Sequence, residues 1–263
     1  MQALRIVQLS DSHLVGAPTG SVRGRQAFTH WQQALEKIRP LAPDLLLLSG
    51  DCCDDESWCG YALLRDSLSA LPESSLVVVS PGNHDHPGRL RACLGSRVRV
   101  APDVLVLKGW SIVILSSHWS GHCAGRIGAQ QLRWLDGVLK GPDFRTRPLL
   151  LALHHPPQSV DHKDWDRIGL VDSKDLIGRL KPLSQLRITV FGHLHQNWEG
   201  WLAGRRDVSL LGCPSTLCSF PPLQPFSHQH CEELGGRLLT LHGDGSFENT
   251  LLQWPDQTAD WQS

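Results

Sequence analysis

Aspartate, asparagine and histidine gather in five short clusters: Asp11-Ser-His13, Gly50-Asp51, Gly82-Asn83-His84-Asp85, His154-His155-Pro156-Pro157 and Gly192-His193-Leu194-His195. Together they offer carboxylates, an amide oxygen and imidazoles, a donor mixture that suits Mn, Fe and Zn. No cysteine belongs to the set, which argues against a structural zinc site. A carboxylate can bridge two cations, and ions about 3.5–4 Å apart can clamp a phosphoryl centre between them. Water held by both ions is a nucleophile at neutral pH. Taken singly, each cluster reads as a turn or a helix cap. Five in order read as a site.

Residues so far apart must be brought together by the elements between them. A strongly apolar run precedes each cluster: residues 5–9 before Asp11, Leu45–Leu48 before Asp51, Leu76–Val79 before Asn83, 149–153 before His154 and 187–191 before His193. Runs of this length suit strands buried on both faces. Residues 104–107 and 112–115 form two more. Helical spacing joins Phe28, Trp31, Leu35 and Ile38, then Leu63, Leu64, Leu68 and Leu71, and recurs over 130–139. This alternation predicts an α/β domain. In open α/β sheets functional groups collect beyond the carboxyl ends of the strands, so five loops can meet at one edge. Residues 208–211, 237–242 and 247–253 read as strands of a second, more antiparallel sheet, with His242-Gly-Asp-Gly245 as a hairpin turn. Residues 213–236, rich in Pro, Ser and His, are expected to form a lid loop, and 255–263 a polar tail. The whole of 1–263 reads as one domain.

With 263 residues, 41% apolar and 19% charged, the composition is that of a globular protein. A formal charge of −1 gives no electrostatic footprint for a nucleic-acid surface or a basic membrane patch. Two bound divalent ions would add about four positive charges locally, so neutrality overall is compatible with an anionic substrate. The N-terminal Met1-Gln-Ala-Leu-Arg-Ile-Val lacks the features of a signal peptide, and no apolar run approaches the roughly 18 residues of a membrane span. The expectation is a cytoplasmic protein, monomer or dimer, whose eight cysteines are mostly reduced thiols. Cys52, Cys53, Cys213 and Cys218 read as packing residues.

The ordered blocks D-x-H, GD, GNHD, HHPP and GHxH, over residues 11–195, resemble the calcineurin-like metallophosphoesterases. Four further stretches resemble the class III cyclic nucleotide phosphodiesterases within that superfamily. They are Ile6-Val-Gln-Leu-Ser-Asp-Ser-His13, Ala34-Leu-Glu-Lys-Ile-Arg-Pro40, Pro214-Ser-Thr216 and Gly236-Arg-Leu-Leu-Thr-Leu-His-Gly-Asp-Gly245. The resemblance implies a four-layer αββα sandwich with mixed sheets and two metal ions, Fe or Mn, with Zn, Co or Mg as alternatives. It implies hydrolysis of a small molecule, 3′,5′-cyclic AMP, to 5′-AMP by a hydroxide bridging the two ions. On this basis Asp11, His13 and His195 hold one ion, Asn83, His154 and His193 the other, and Asp51 bridges both. The resemblance selects His154 over His155, which spacing leaves open. It makes His84 the proton donor to the leaving oxygen, with Asp85 as a candidate to orient it. The alternatives are another phosphoester (a 2′,3′-cyclic nucleotide, a dinucleotide pyrophosphate or a phosphomonoester) or a non-catalytic scaffold, which would be expected to lack ligands.

Other residues carry weaker signals. His30, His86, His118, His122, His162 and His242 read as surface or satisfied polar groups, with His118 and His122 nearest to the site-facing edge. His228 and His230 fall in the expected lid. Trp31 and Trp134 read as core, while Trp119, Trp165 and Trp198 are candidates to line a pocket. Arg23, Arg25 and the segment 221–225 show no base-binding pattern.

Overall fold

The computed structural model describes residues 2–224 and 233–255. In chain order its strands are β1 (Leu4–Leu9), β2 (Ser21–Val22), β3 (Arg25–Gln26), β4 (Leu45–Leu48), β5 (Leu76–Val79), β6 (Val98–Val100) and β7 (Asp103–Leu107). They continue with β8 (Trp110–Ile114), β9 (Leu149–Ala152), β10 (Leu186–Phe191), β11 (Trp198–Leu202), β12 (Arg205–Gly212), β13 (Glu233–Leu241) and β14 (Phe247–Pro255). The helices are α1 (Ala27–Ile38), α2 (Trp58–Ser67), α3 (Pro87–Leu94), α4 (Gly128–Val138), α5 (Pro142–Thr146), α6 (Lys163–Arg167) and α7 (Ser173–Leu180). One sheet runs β14-β13-β1-β4-β5-β6 and the other β11-β12-β10-β9-β8-β7.

The apolar runs are continuous because each strand feeds two interfaces. Leu45 and Leu47 of β4 point between the sheets, where they join Ile6, Ile112, Leu150 and Ile188. Leu46 and Leu48 point outward onto Trp31 and Leu35 of α1 and Leu64 of α2. In the second sheet Leu150 and Ala152 face inward, whereas Leu149 and Leu151 pack outward with Leu132 and Leu135 of α4 and Leu176 of α7. Side chains alternate across a strand, so burial on both faces requires leucine after leucine. Three apolar interfaces give four layers, the αββα sandwich. Each buried leucine contributes roughly 1.5–3 kcal/mol.

The last third departs from the sequence expectation. β12 joins the second sheet parallel to β10, while β13 and β14 extend the first sheet antiparallel from β1. Two sheets therefore grow at their edges, and the three strands do not share one sheet. β12 and β13 each pair on both sides, with β11 and β14 at the edges, and apolar alternation alone does not say which sheet such a strand will join. The hairpin turn does form, closed by His242 N–H donating to the Ser246 carbonyl, with Gly245 at φ +89°. Buried Arg237 in β13 braces the two sheets by donating to Asn197 Oδ1 at 2.5 Å and to the Gly212 carbonyl at 2.8 Å. Of the expected lid, 213–218 is buried and 233–236 lies in β13; 225–232 fall outside the described residues, as does the tail beyond Pro255. Among the described residues no helix is long and apolar enough to cross a membrane.

Candidate dinuclear metal centre

The five clusters follow β1, β4, β5, β9 and β10. Within their sheets β1, β4 and β5 are mutually parallel neighbours, as are β9 and β10, so each set of loops leaves from the same edge. The loops are stitched to one another through backbone. Asp11 N–H donates to the Gly50 carbonyl at 3.0 Å, His13 N–H to the Asp51 carbonyl at 2.9 Å, and Gly192 N–H to the His154 carbonyl at 3.0 Å. Gln8 Nε2 joins the sheets by donating to Ser49 Oγ and to the Phe191 carbonyl. Five of the candidate ligands take left-handed backbone: Asp11, His13, Asp51, His193 and His195 have φ between +45° and +67°. Such conformations cost on the order of 1–3 kcal/mol each and persist where the surroundings over-determine them, typically at functional sites.

Two overlapping donor groups result, and the carboxylates of Asp11 and Asp51 each reach both. Asp11, His13 and His195 place a donor atom each within 4.8 Å of one another, and so do Asp11, Asp51 and His154. Asp51 Oδ2 lies 3.8 Å from His13 Nε2 and 3.5 Å from His154 Nε2. Asn83 Oδ1 is 3.2 Å from His154 Nε2, and the rings of His154 and His193 are 5.2 Å apart. The imidazoles are oriented by their other nitrogens: Nδ1–H donates to Asp54 in His13, to the Ser49 carbonyl in His154 and to the Cys218 carbonyl in His195. With both Nδ1–H groups committed, His13 Nε2 and His195 Nε2 confront each other at 3.2 Å, lone pair to lone pair. Among the described residues Asp11 Oδ1 and His193 Nε2 are buried without a hydrogen-bond partner. Buried donors in this state fit two metal ions, because cations resolve the facing lone pairs and the orphaned carboxylate oxygen.

The charges follow from the same packing. Burial pushes the Asp51 carboxyl up, but His154 and His13 outweigh it and hold Asp51 well below the usual range. Burial likewise disfavours charge on His154, yet the Asp51 carboxylate dominates and raises it to about 9. His155 is the opposite case, with burial and then its charged neighbour His154 pushing it down to about 3. Both of its nitrogens are engaged, Nδ1 with Ser117 Oγ at 2.8 Å and Nε2 with the Cys123 carbonyl at 3.0 Å. His154 directs Nε2 at Asp51 and Asn83, while His155, whose donor atom lies within 4.8 Å of those of His154 and His193, has both nitrogens hydrogen-bonded elsewhere.

The chain belongs to the calcineurin-like phosphoesterase family. The family's pattern matches residues 4–197, which contain every cluster described above. The chain is 46% identical, over 95% of its length, to a probable cyclic nucleotide phosphodiesterase of Synechococcus sp. (strain WH7803), covering 96% of that protein. It is 30% identical to the 3′,5′-cyclic adenosine monophosphate phosphodiesterase CpdA of Escherichia coli (strain K12), over 96% of this chain and 90% of that one. In fold it is similar to a dimetal phosphatase of Danio rerio, with a TM-score of 0.66 at 15% identity, covering 97% of this chain and 100% of that chain.

One residue of this phosphoesterase site escaped the sequence reading. Asp54 accepts from His13 Nδ1 at 2.8 Å and lies 3.2 Å from His84 Nδ1, so a single carboxylate orients a candidate ligand and the candidate proton donor. Hydrogen bonds from His13 and then His84 hold Asp54 well below the usual carboxylate range, and the bond to Asp54 raises His84. A second carboxylate three residues after Asp51 was the available signal. Asp85, expected to orient His84, makes different contacts: it accepts from the backbone N–H groups of Cys52, Cys53 and Gly82 and from Tyr61 Oη. Its place is to tie the loop after β4 to the loop after β5. Tyr61 Oη also accepts from His86 N–H at 2.7 Å. Tyr61→Phe should therefore destabilise the phosphoesterase by about 1–3 kcal/mol, since buried polar partners lose their bonds. Urea unfolding, with unchanged slope and a lower midpoint, is the check.

Gly82 is required by close approach. A Cβ there would sit 2.1 Å from Asp51 Oδ1 and 2.5 Å from Asp51 N. Gly82→Ala should displace Asp51 and lower turnover on the order of 10²-fold, as a misplacement of about 1 Å does. Steady-state kinetics with metal analysis would show both losses.

The remaining candidates divide. His30 is buried and bonded to the Gln26 carbonyl, His86 caps α3, and His122 stacks on Trp119. His118 donates to the Gly82 carbonyl at 2.9 Å and so abuts the site. Trp198 packs in the core against Phe191, whereas Trp165 lies 5.5 Å from the His193 ring. Trp134 is only half-buried and shares a cavity wall with Trp119. His228, His230 and Cys231 lie outside the described residues.

Proposed function

We propose that this chain is a metal-dependent phosphodiesterase that hydrolyses 3′,5′-cyclic AMP to 5′-AMP. The observation that carries the reading is Asp51 facing two donor groups at once, with a histidine–carboxylate pair, His84–Asp54, at the edge of the first. Asp11, His13 and His195 would hold one ion, Asn83, His154 and His193 the other, and Asp51 both. Iron and manganese suit these nitrogen and oxygen donors. When bound, such ions lower the pKa of a shared water and neutralise charge on the phosphoryl oxygens. His84 has its Nδ1–H committed to Asp54, which leaves Nε2–H for the 3′ oxygen as its bond to phosphorus breaks. The relatives named for cyclic nucleotides support the substrate. We read residues 1–263 as one phosphoesterase domain. The free cysteines among the described residues suit a reducing cytoplasm, where a diffusible nucleotide is the partner.

A substrate panel with defined metals tests the reading. Chelator-stripped protein should be inert, and Mn or Fe should restore cleavage of cyclic AMP. Fast cleavage of a 2′,3′-cyclic nucleotide, a pyrophosphate or a monoester, with cyclic AMP left intact, would sink it.

A further inference from the structure

The shell of candidate ligands has an aromatic rim on one side. Phe220 lies 4.7 Å from His195 and Trp165 lies 5.5 Å from His193, ring centroid to ring centroid. The two rims meet edge-on at 5.4 Å, so they form one surface beside both donor groups. Arg23 holds its guanidinium 5.1 Å above the Phe220 ring. It sits at the tip of the β2–β3 hairpin, where Arg23 at φ +52° and Gly24 at φ +78° make a two-residue turn that fixes where the side chain projects. Polar groups lie in the other direction. The rings of His84, His13, His195 and Phe220 succeed one another at 4.9, 5.1 and 4.7 Å, so His84 and Phe220 end the series.

We infer that Trp165, Phe220 and Arg23 form the nucleobase subsite of this phosphodiesterase. The inference rests on the function proposed above. A phosphoryl group held between the two donor groups carries its base one ribose away, on the first surface beyond the ligand shell. At the His84 end that surface presents the Asp54 carboxylate, a poor neighbour for a flat π system. At the other end it presents two half-buried aromatic rings and a guanidinium. Bases stack on aromatic side chains whatever their sequence, and arginine adds a cation over the ring and donors for the acceptor atoms on the base edge. The competing place is a cavity of about 550 Å³ lined by His118, Trp119, Arg126 and Trp134. There the Trp119 ring is stacked flat on the His122 ring at 3.5 Å and 7°, whereas the contacts of Phe220 with His195, Arg23 and Trp165 lie at 4.7, 5.1 and 5.4 Å and none is a flat ring stack.

The test compares the metal-loaded enzyme on cyclic AMP and on methyl p-nitrophenyl phosphate, a diester without a base, together with 5′-AMP binding by calorimetry. Phe220→Ala should raise the ratio of the two KM values about 10-fold and weaken 5′-AMP binding by the same factor. Phe220→Tyr, which keeps the ring, should return the ratio to within about two-fold of the unsubstituted enzyme. Arg23→Ala, at an exposed hairpin tip, should raise it about three-fold. An unchanged ratio and unchanged 5′-AMP affinity in Phe220→Ala and Arg23→Ala would overturn the subsite, as would a shift produced by Trp119→Ala instead. If the unsubstituted enzyme cleaves the small diester but neither cleaves cyclic AMP nor binds 5′-AMP, the function itself is wrong and the subsite falls with it.

Discussion

Asp51→Ala should bind neither metal ion and hydrolyse no phosphodiester at a measurable rate. Asp51 is 2% exposed, and its Oδ2 faces imidazoles of both donor groups while Oδ1 accepts from His84 N–H at 2.8 Å. Removing the carboxylate takes a donor from each group and also releases the loop that carries Asn83 and His84. It leaves His13, His154 and His195 with Asp11 as the one carboxylate still among them. A metal centre supplies several kcal/mol of transition-state stabilisation, so the loss should be on the order of 10³-fold or more. Metal content by mass spectrometry and turnover of cyclic AMP should fall together, with circular dichroism showing that the sheets persist. Two ions retained with substantial turnover would disprove the bridging role.

The second large effect separates chemistry from metal binding. His84→Ala should keep both ions and lose about 10²–10⁴-fold in kcat, the range for a removed general acid. The penalty should nearly vanish for a diester with a p-nitrophenolate leaving group, which departs without a proton. Equal loss on both substrates would assign His84 to structure. Asp54→Asn should combine two defects, because its carboxylate is shared by His13 and His84. Metal affinity should weaken about 10–100-fold, as for partners that orient a ligand, and kcat should fall as well.

The strands that carry the site could be read from sequence because burial on both faces forces uninterrupted apolar runs. Those runs place Asp11, Asp51, Asn83, His154 and His193 just beyond strand ends. Short edge strands were opaque. In β6 an exposed arginine separates two valines, and in β11 glutamate and glycine separate two tryptophans, so neither shows a continuous run. Helix α3 carries two arginines in eight residues, and its apolar face is too short to stand out. Asp54 offered only its place three residues after Asp51: its partners His13 and His84 are 41 and 30 residues away, so nothing local marked its role.

By itself the sequence determined the donor types, their order and the strands that precede them, since coordination chemistry and two-sided burial each leave a local pattern. Only the tertiary structure decided which atoms face one another. It set the different contacts of the His154 and His155 ring nitrogens, and the shared orientation of His13 and His84 by one carboxylate. The joining of His193 to Trp165 and of His195 to Phe220 is likewise a product of packing between segments far apart in the chain. Such relations are set by the distance between folded elements, which no spacing along the chain records.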